Sequence, residues 1–212
     1  MIGTPFETKK IFVGDRAVSK AFYGDRLMWQ EDLPVFYTRI GGITFDGDFY
    51  YITEQELTGA DTLKFTYEAT GSAGCNVIGS YKSTASSSYN RSFYHAASAY
   101  IRYYNGLYRA SFNYNTKYEV SFGPTGFVAN GTTKASWATK TFACEDPMYI
   151  GMLPNSASAS LTGSFYGNIE VVGKAVFIPC IRNIDNAIGY YDMARQTFLS
   201  KQGTGTPVAI PL

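Results

Sequence analysis

Residues 101–112 read IRYYNGLYRASF, and this stretch decides the fold class. Apolar and aromatic side chains alternate with polar ones on both sides of Asn105-Gly106, the period of a strand with one buried face. Asn-Gly suits the positive φ angles of a tight hairpin turn. The stretch therefore predicts two antiparallel strands.

The same rhythm recurs outward in both directions. Strand-like runs occupy 42–45, 49–52, 62–69, 76–81, 92–94, 99–104, 107–114, 118–122, 126–129, 138–143, 148–153, 164–172 and 174–182. Turn signals separate them at Asp46-Gly47, Asn130-Gly131 and Gly173. Short strands between such turns are the pattern of a β-sandwich. Residues 53–57 (TEQEL) read as a short helical turn, and 84–88 and 155–160 as small-polar loops.

Composition agrees. Of 212 residues, 45% are hydrophobic, 17% charged and 17% aromatic, with 18 Tyr and 15 Phe. This excludes a disordered chain and argues against a helical bundle. The net charge of +1 gives too weak a field to draw in nucleic acid or an anionic membrane by charge alone. Cys75, Cys144 and Cys180 are too few and too scattered for a disulfide framework or a zinc site. The single histidine, His95, has no catalytic partner nearby in sequence and reads as structural. No apolar run is long enough to span a membrane, and the N-terminus lacks a signal peptide, so synthesis in a cytoplasm is expected.

Residues 10–19 (KIFVGDRAVS) and 20–29 (KAFYGDRLMW) repeat without a gap. Each unit predicts two short strands around Gly-Asp, together a small meander. So small a module is marginal by itself and needs a neighbour to cover its apolar face. Phe12, Phe22 and Trp29 are its candidate anchors. With QEDLP at 30–34 as the linker, the expected division is 1–33, a β-hairpin repeat module, and 34–212, one all-β sandwich.

At the other end, residues 177–206 contain Ile178-Pro179-Cys180-x-Arg182, Gly189-Tyr190-Tyr191-Asp192, Phe198 and Gly203-Thr204-Gly205-Thr206. This resembles the end of the concanavalin A-like, laminin-G-like jelly-roll domains of phage tail-fibre and minor structural proteins. In that family a last core strand with "PCYR" is followed by a "G-x-YD" turn, an aromatic residue and a closing Gly-Thr-Gly turn. Ile43-Thr44-Phe45-Asp46-Gly47, Tyr149-Ile150-Gly151 and Phe165-Tyr166-Gly167-Asn168-Ile169 resemble earlier strands of the same domains. Arg195-Gln196-Thr197 departs from the pattern, standing where an Asn-Gly turn is expected. On the residues alone, Pro179 ends a strand or sits on an edge. Tyr190, Tyr191 and Phe198 read as packing, and Arg182 with Asp192 as a pair that pins the tail.

The resemblance implies a concanavalin A-like jelly-roll β-sandwich and a virion location. It implies a fibre or receptor-binding module that meets other virion proteins through its N-terminal module, binds host-surface polysaccharide, and is a candidate homotrimer. The alternative is a decoration or assembly protein with no ligand. A glycosidase is a remote third reading. It would need two carboxylates about 5–10 Å apart, and the nearest sequence pair, Glu54-x-Glu56, lies in a polar turn. Asp46-Gly47-Asp48 lacks the further spaced ligands of a calcium loop. No cofactor, metal, catalytic residue, nucleic acid or membrane is expected. Exposed Tyr and Trp stack on sugar rings while Asn and Arg bond hydroxyls. On that chemistry the candidate ligand residues are Tyr89, Arg91, Tyr103, Tyr104, Asn105 and Trp137.

Overall fold

A computed structural model describes residues 33–84, 87–153 and 160–212, with side chains for 33–81, 90–153 and 160–212, and the strand backbones at 11–13, 16–18, 20–23 and 26–30. β1 (Ile11–Val13) pairs with β2 (Arg16–Val18), and β3 (Lys20–Tyr23) with β4 (Arg26–Gln30). Each Gly-Asp-Arg unit is thus its own two-stranded sheet, not part of one continuous meander. The side chains of Phe12, Phe22 and Trp29 lie outside the described residues.

After the linker come β5 (Tyr37–Arg39), β6 (Gly42–Asp46), β7 (Phe49–Thr58), β8 (Leu63–Ala69), β9 (Cys75–Thr84) and β10 (Ser87–His95). Next are β11 (Ser98–Tyr104), β12 (Gly106–Ser111), β13 (Lys117–Phe122), β14 (Gly126–Ala129), β15 (Thr132–Ser136) and β16 (Ala143–Ile150). The chain ends with β17 (Thr162–Val171), β18 (Ala175–Arg182), β19 (Ala187–Asp192), β20 (Thr197–Leu199), β21 (Gln202–Gly203) and β22 (Val208–Ile210). Among the described residues there is no helix.

Two antiparallel sheets pack face to face as a jelly-roll β-sandwich, the fold class expected from the sequence. Sheet one runs β12-β11-β10-β9-β16-β7-β21. Sheet two runs β15-β14-β13-β8-β17-β18-β19-β20, with β6, β22 and β5 joining at its side. The core is a continuous aromatic stack between them. Phe45 contacts Phe49, Tyr51 and Phe165 with ring centroids 4.6–5.8 Å apart, and Phe93 contacts Tyr67, Phe112 and Phe127.

The β11–β12 hairpin is present, but its turn is centred one residue earlier than Asn105-Gly106: Tyr103 pairs with Gly106, so Tyr104 and Asn105 reverse the chain and Gly106 opens β12. The left-handed residue is Tyr104, at φ 59°. Asn130 and Gly131, at φ 49° and 72°, make the turn between β14 and β15. Thr84, Ser87 and Ser88, read as loop, belong to β9 and β10, with Ser87 paired to Thr84; 85–86 and 154–159 lie outside the described residues.

Several local readings change. TEQEL is the second half of β7, where Thr53, Gln55 and Leu57 point inward and Glu54 and Glu56 outward. Period two outweighs its high helix propensity once a sheet partner is available. Residues 137–142 form no strand: Trp137 and Phe142 turn in against Tyr103, and the ladders flank them as β15 and β16. Gly189–Asp192 is strand, part of β19 paired to β18, and the left-handed turn comes later at Gln196, φ 57°. Arg182 bonds Asp185 at 2.6 Å and buried Asp192 bonds Arg195 at 3.1 Å. They do not pair with each other because Asp192 lies opposite Phe177, at the far end of the ladder from Arg182.

Pro179 is neither a strand end nor an edge. It sits in mid β18, where that strand exchanges β17 for β5 as its neighbour, and its carbonyl accepts the Ile40 amide at 3.1 Å. A matching exchange occurs in β17. Up to Tyr166 it lies between β6 and β8; from Ile169 it lies between β18 and β8. Residues 167–169 bulge between these two halves, with Gly167 at φ 64° donating its amide to Gly41. Gly42 pairs with Tyr166 there, and a Cβ on it would run into the Phe165 carbonyl.

Candidate functional site

The bulge opens a groove of about 610 Å³ on the outer face of sheet two. Its floor is β8, where Lys64 and Thr66 project outward between inward-facing Leu63, Phe65 and Tyr67. Glu119 and Ser121 of β13 form one wall, and Asn168 and Glu170 of β17 the other. Register fixes their order. Lys64 stands between Ser121 and Glu170, and Thr66 between Glu119 and Tyr166. Val128 and Val176 are the apolar flanks.

Hydrogen bonds hold these walls. Asn168 Oδ1 accepts from Arg39 Nη2 at 3.2 Å. The Glu119 amide donates to Asn130 Oδ1 at 2.7 Å, and Asn130 Nδ2 donates to the Lys117 carbonyl at 3.1 Å. Beside the groove the Lys117 ammonium lies 4.0 Å from the Tyr166 ring centroid, and Tyr166 donates its hydroxyl to Glu68 at 3.0 Å. Burial, and then that bond to a carboxylate, push the Tyr166 phenol up, so it stays a donor. The groove therefore offers a cation, two carboxylates, an amide and two hydroxyls on strands rather than on loops.

The residues singled out from the sequence lie elsewhere. Arg91, Tyr103, Tyr104 and Trp137 do come together, but between the sheets. Arg91 is fully buried on the inner face of β10, and its guanidinium donates to the carbonyls of Thr58, Asp61 and Phe122. It lies 4.9 Å from the Phe122 ring centroid and 5.8 Å from that of Tyr103. Burial lowers its pKa to about 10, opposed by nearby Asp61, so it remains charged. Tyr103 is buried, donating to the Gly59 carbonyl at 2.9 Å and accepting from the Lys140 amide at 3.0 Å. Trp137 is half-buried and stacks on Tyr103 at 4.8 Å and 15°. Tyr104 packs on Phe142. Asn105 alone of the set is exposed, at the hairpin tip, and the Tyr89 side chain lies outside the described residues. The expectation that Arg91 and Tyr103 are open to a ligand is corrected, because strand alternation turns both inward; Trp137, outside any strand, covers the Tyr103 ring and stays half-exposed.

Other groups weighed in the sequence are also engaged. Asp46 accepts from the amides of Asp48 at 3.0 Å and Thr206 at 2.7 Å, which hold its carboxyl below the usual range and lock the C-terminal turn onto the sandwich. Glu54 meets Arg195 at 3.4 Å. His95 is buried among Phe93, Phe112 and Tyr114, with Nδ1 2.8 Å from the Tyr67 hydroxyl. All three cysteines are buried free thiols, and burial pushes Cys144 up to about 11. Fold and groove together define an all-β sandwich protein with an open polar site on its larger sheet. No family model matches the chain, and no curated protein matches it either.

Proposed function

We propose that the chain is a virion structural protein whose sandwich binds host-surface glycan in the sheet-two groove and whose N-terminal hairpins attach it to the particle. The groove carries this reading. It is open, and polar side chains of three strands rise between the apolar flanks of Val128 and Val176, a mixed surface that suits the hydroxyls and the apolar ring faces of a sugar chain. The motifs at 178–206 and the Gly-Asp-Arg repeat supply the virion context by resemblance.

Binding is favoured over hydrolysis. Glu119 and Glu170 stand on the strands either side of β8 and one register step apart, so they do not face each other directly across the groove. Lys64 lies between them. The test is a glycan array probed with the full chain and with a Glu119→Ala/Asn168→Ala variant. Binding that the double variant loses supports the proposal. A wild-type chain that binds nothing while still incorporating into particles supports the decoration reading. A parallel incorporation assay with residues 1–33 deleted tests attachment; undiminished incorporation would place the anchor in the sandwich.

A further inference from the structure

Charge is unevenly spread along the chain. Between Glu68 and Glu119 there is no acidic residue, yet Lys82, Arg91, Arg102, Arg109 and Lys117 all fall in that interval. It spans β9–β12, one whole flank of sheet one. Arg91 points inward onto backbone carbonyls. Arg102 and Arg109 point outward and are exposed, and among the described residues neither has an ion pair.

The outer face around them is built in register. Tyr94 pairs with Tyr100, and Tyr100 with Arg109. The two tyrosine rings lie 5.6 Å apart at 30°, and the Arg109 guanidinium sits 4.7 Å above Tyr100. Arg102 follows Tyr100 on the same face, one strand repeat of roughly 7 Å further on. The stack holds Arg109 flat, which orients its donors before any ligand arrives. Two half-exposed aromatic rings beside two unneutralised guanidinium groups match a ligand that has both ring faces and anionic substituents.

We propose that the outer face of β10–β12 is a second binding site, for an anionic polysaccharide. Carboxylate, sulfate or phosphate substituents meet Arg102 and Arg109, and sugar rings lie against Tyr94 and Tyr100. The site is on the opposite side of the sandwich from the groove and does not rest on that reading. Nucleic acid is disfavoured, since its binding is dominated by many phosphate contacts and among the described residues this face offers two cations.

The experiment immobilises the full chain and measures binding of polygalacturonate, dextran sulfate and uncharged dextran. A charged polymer is expected to bind where dextran does not. Arg102→Gln/Arg109→Gln is expected to weaken binding at least about tenfold, the loss of charge-assisted bonds, while near-UV circular dichroism stays unchanged. Tyr100→Ala is expected to weaken it about tenfold and Tyr100→Phe to leave it intact, since stacking needs only the ring. Lys201→Gln, which removes an exposed cation next to β21 at the opposite edge of sheet one, is expected to have no effect. Equal binding of dextran and the charged polymers overturns the proposal, as does full binding by the arginine double variant. Equal capture of a deoxythymidine 20-mer with Tyr100→Ala neutral would mean unspecific polyanion binding and also overturn it.

Discussion

Arg91 and Tyr103 lie between the sheets with half-buried Trp137 stacked on Tyr103, while Lys64, Glu119 and Asn168 lie on the outside of sheet two. Both groups gather charged and polar side chains, the inner one among aromatic rings and the outer one among carboxylates, an amide and hydroxyls. They differ in which way the pleat turns them. Inside, the guanidinium spends its donors on carbonyls of the β7–β8 connection and of β13, and rings close over it. Outside, the same chemistry is left facing solvent. Residue type alone therefore misassigns the two regions, and alternation separates them.

The sharpest way to break this contrast is Arg91→Leu. It removes the guanidinium from three carbonyls, of which Thr58 keeps the Asp61 amide, and each buried carbonyl left unsatisfied costs about 1–3 kcal/mol. Urea unfolding measures the loss. A stable Arg91→Leu protein would mean that the interior cluster is not structural.

Acid is the next probe of the buried side. Burial lowers the His95 pKa to about 4, whereas the unfolded imidazole titrates near 6.5. Between these values the unfolded chain binds the extra proton and the native chain does not. Stability is thus complete above about pH 6.5 and falls toward pH 4, by up to roughly 3 kcal/mol. The Tyr67 phenol, which burial keeps protonated, is the group that meets His95 Nδ1. Unfolding curves at pH 7.5 and 4.5 should separate widely for the wild type and less for His95→Gln. Equal separation would assign the acid sensitivity to the carboxylates.

Trp137→Ala sharpens the comparison further. If the half-buried indole is packing, stability falls by about 2 kcal/mol, below the range for a fully buried Trp, and glycan binding is unchanged. Lost binding at an unchanged melting temperature would return Trp137 to the ligand site. The smallest effect on stability belongs to the groove. Glu119→Gln and Asn168→Ala should each move stability by less than about 0.5 kcal/mol and weaken glycan affinity about tenfold, roughly one hydrogen bond to a charged group.

Most of the sandwich was legible in the sequence because strand period and turn chemistry are local. Asn130-Gly131 and Gly173 mark turns that the structure contains, and Asn105-Gly106 marks its hairpin to within one residue, the turn falling on Tyr104-Asn105. β5 and β20–β22 were missed because each spans only two or three residues and is defined by its partner. β19 was misread as a turn because the family pattern was followed over its Ile-Gly-Tyr-Tyr run. The groove was out of reach for a different reason. Lys64, Glu119 and Glu170 are ordinary outward positions on three strands, and nothing in the sequence says that β8 lies between β13 and β17. The one local signal was Gly167-Asn168 inside an apolar run, the mark of a bulge.

The most direct test of the groove is a chemical-shift titration of the full isotope-labelled chain with an oligosaccharide that the array identifies. Amide shifts are expected at Lys64, Thr66, Glu119, Asn168 and Glu170, with Arg91 and Tyr103 unmoved. Shifts centred on Arg91, Tyr103 and Trp137 instead, with the β8, β13 and β17 amides silent, would contradict the account.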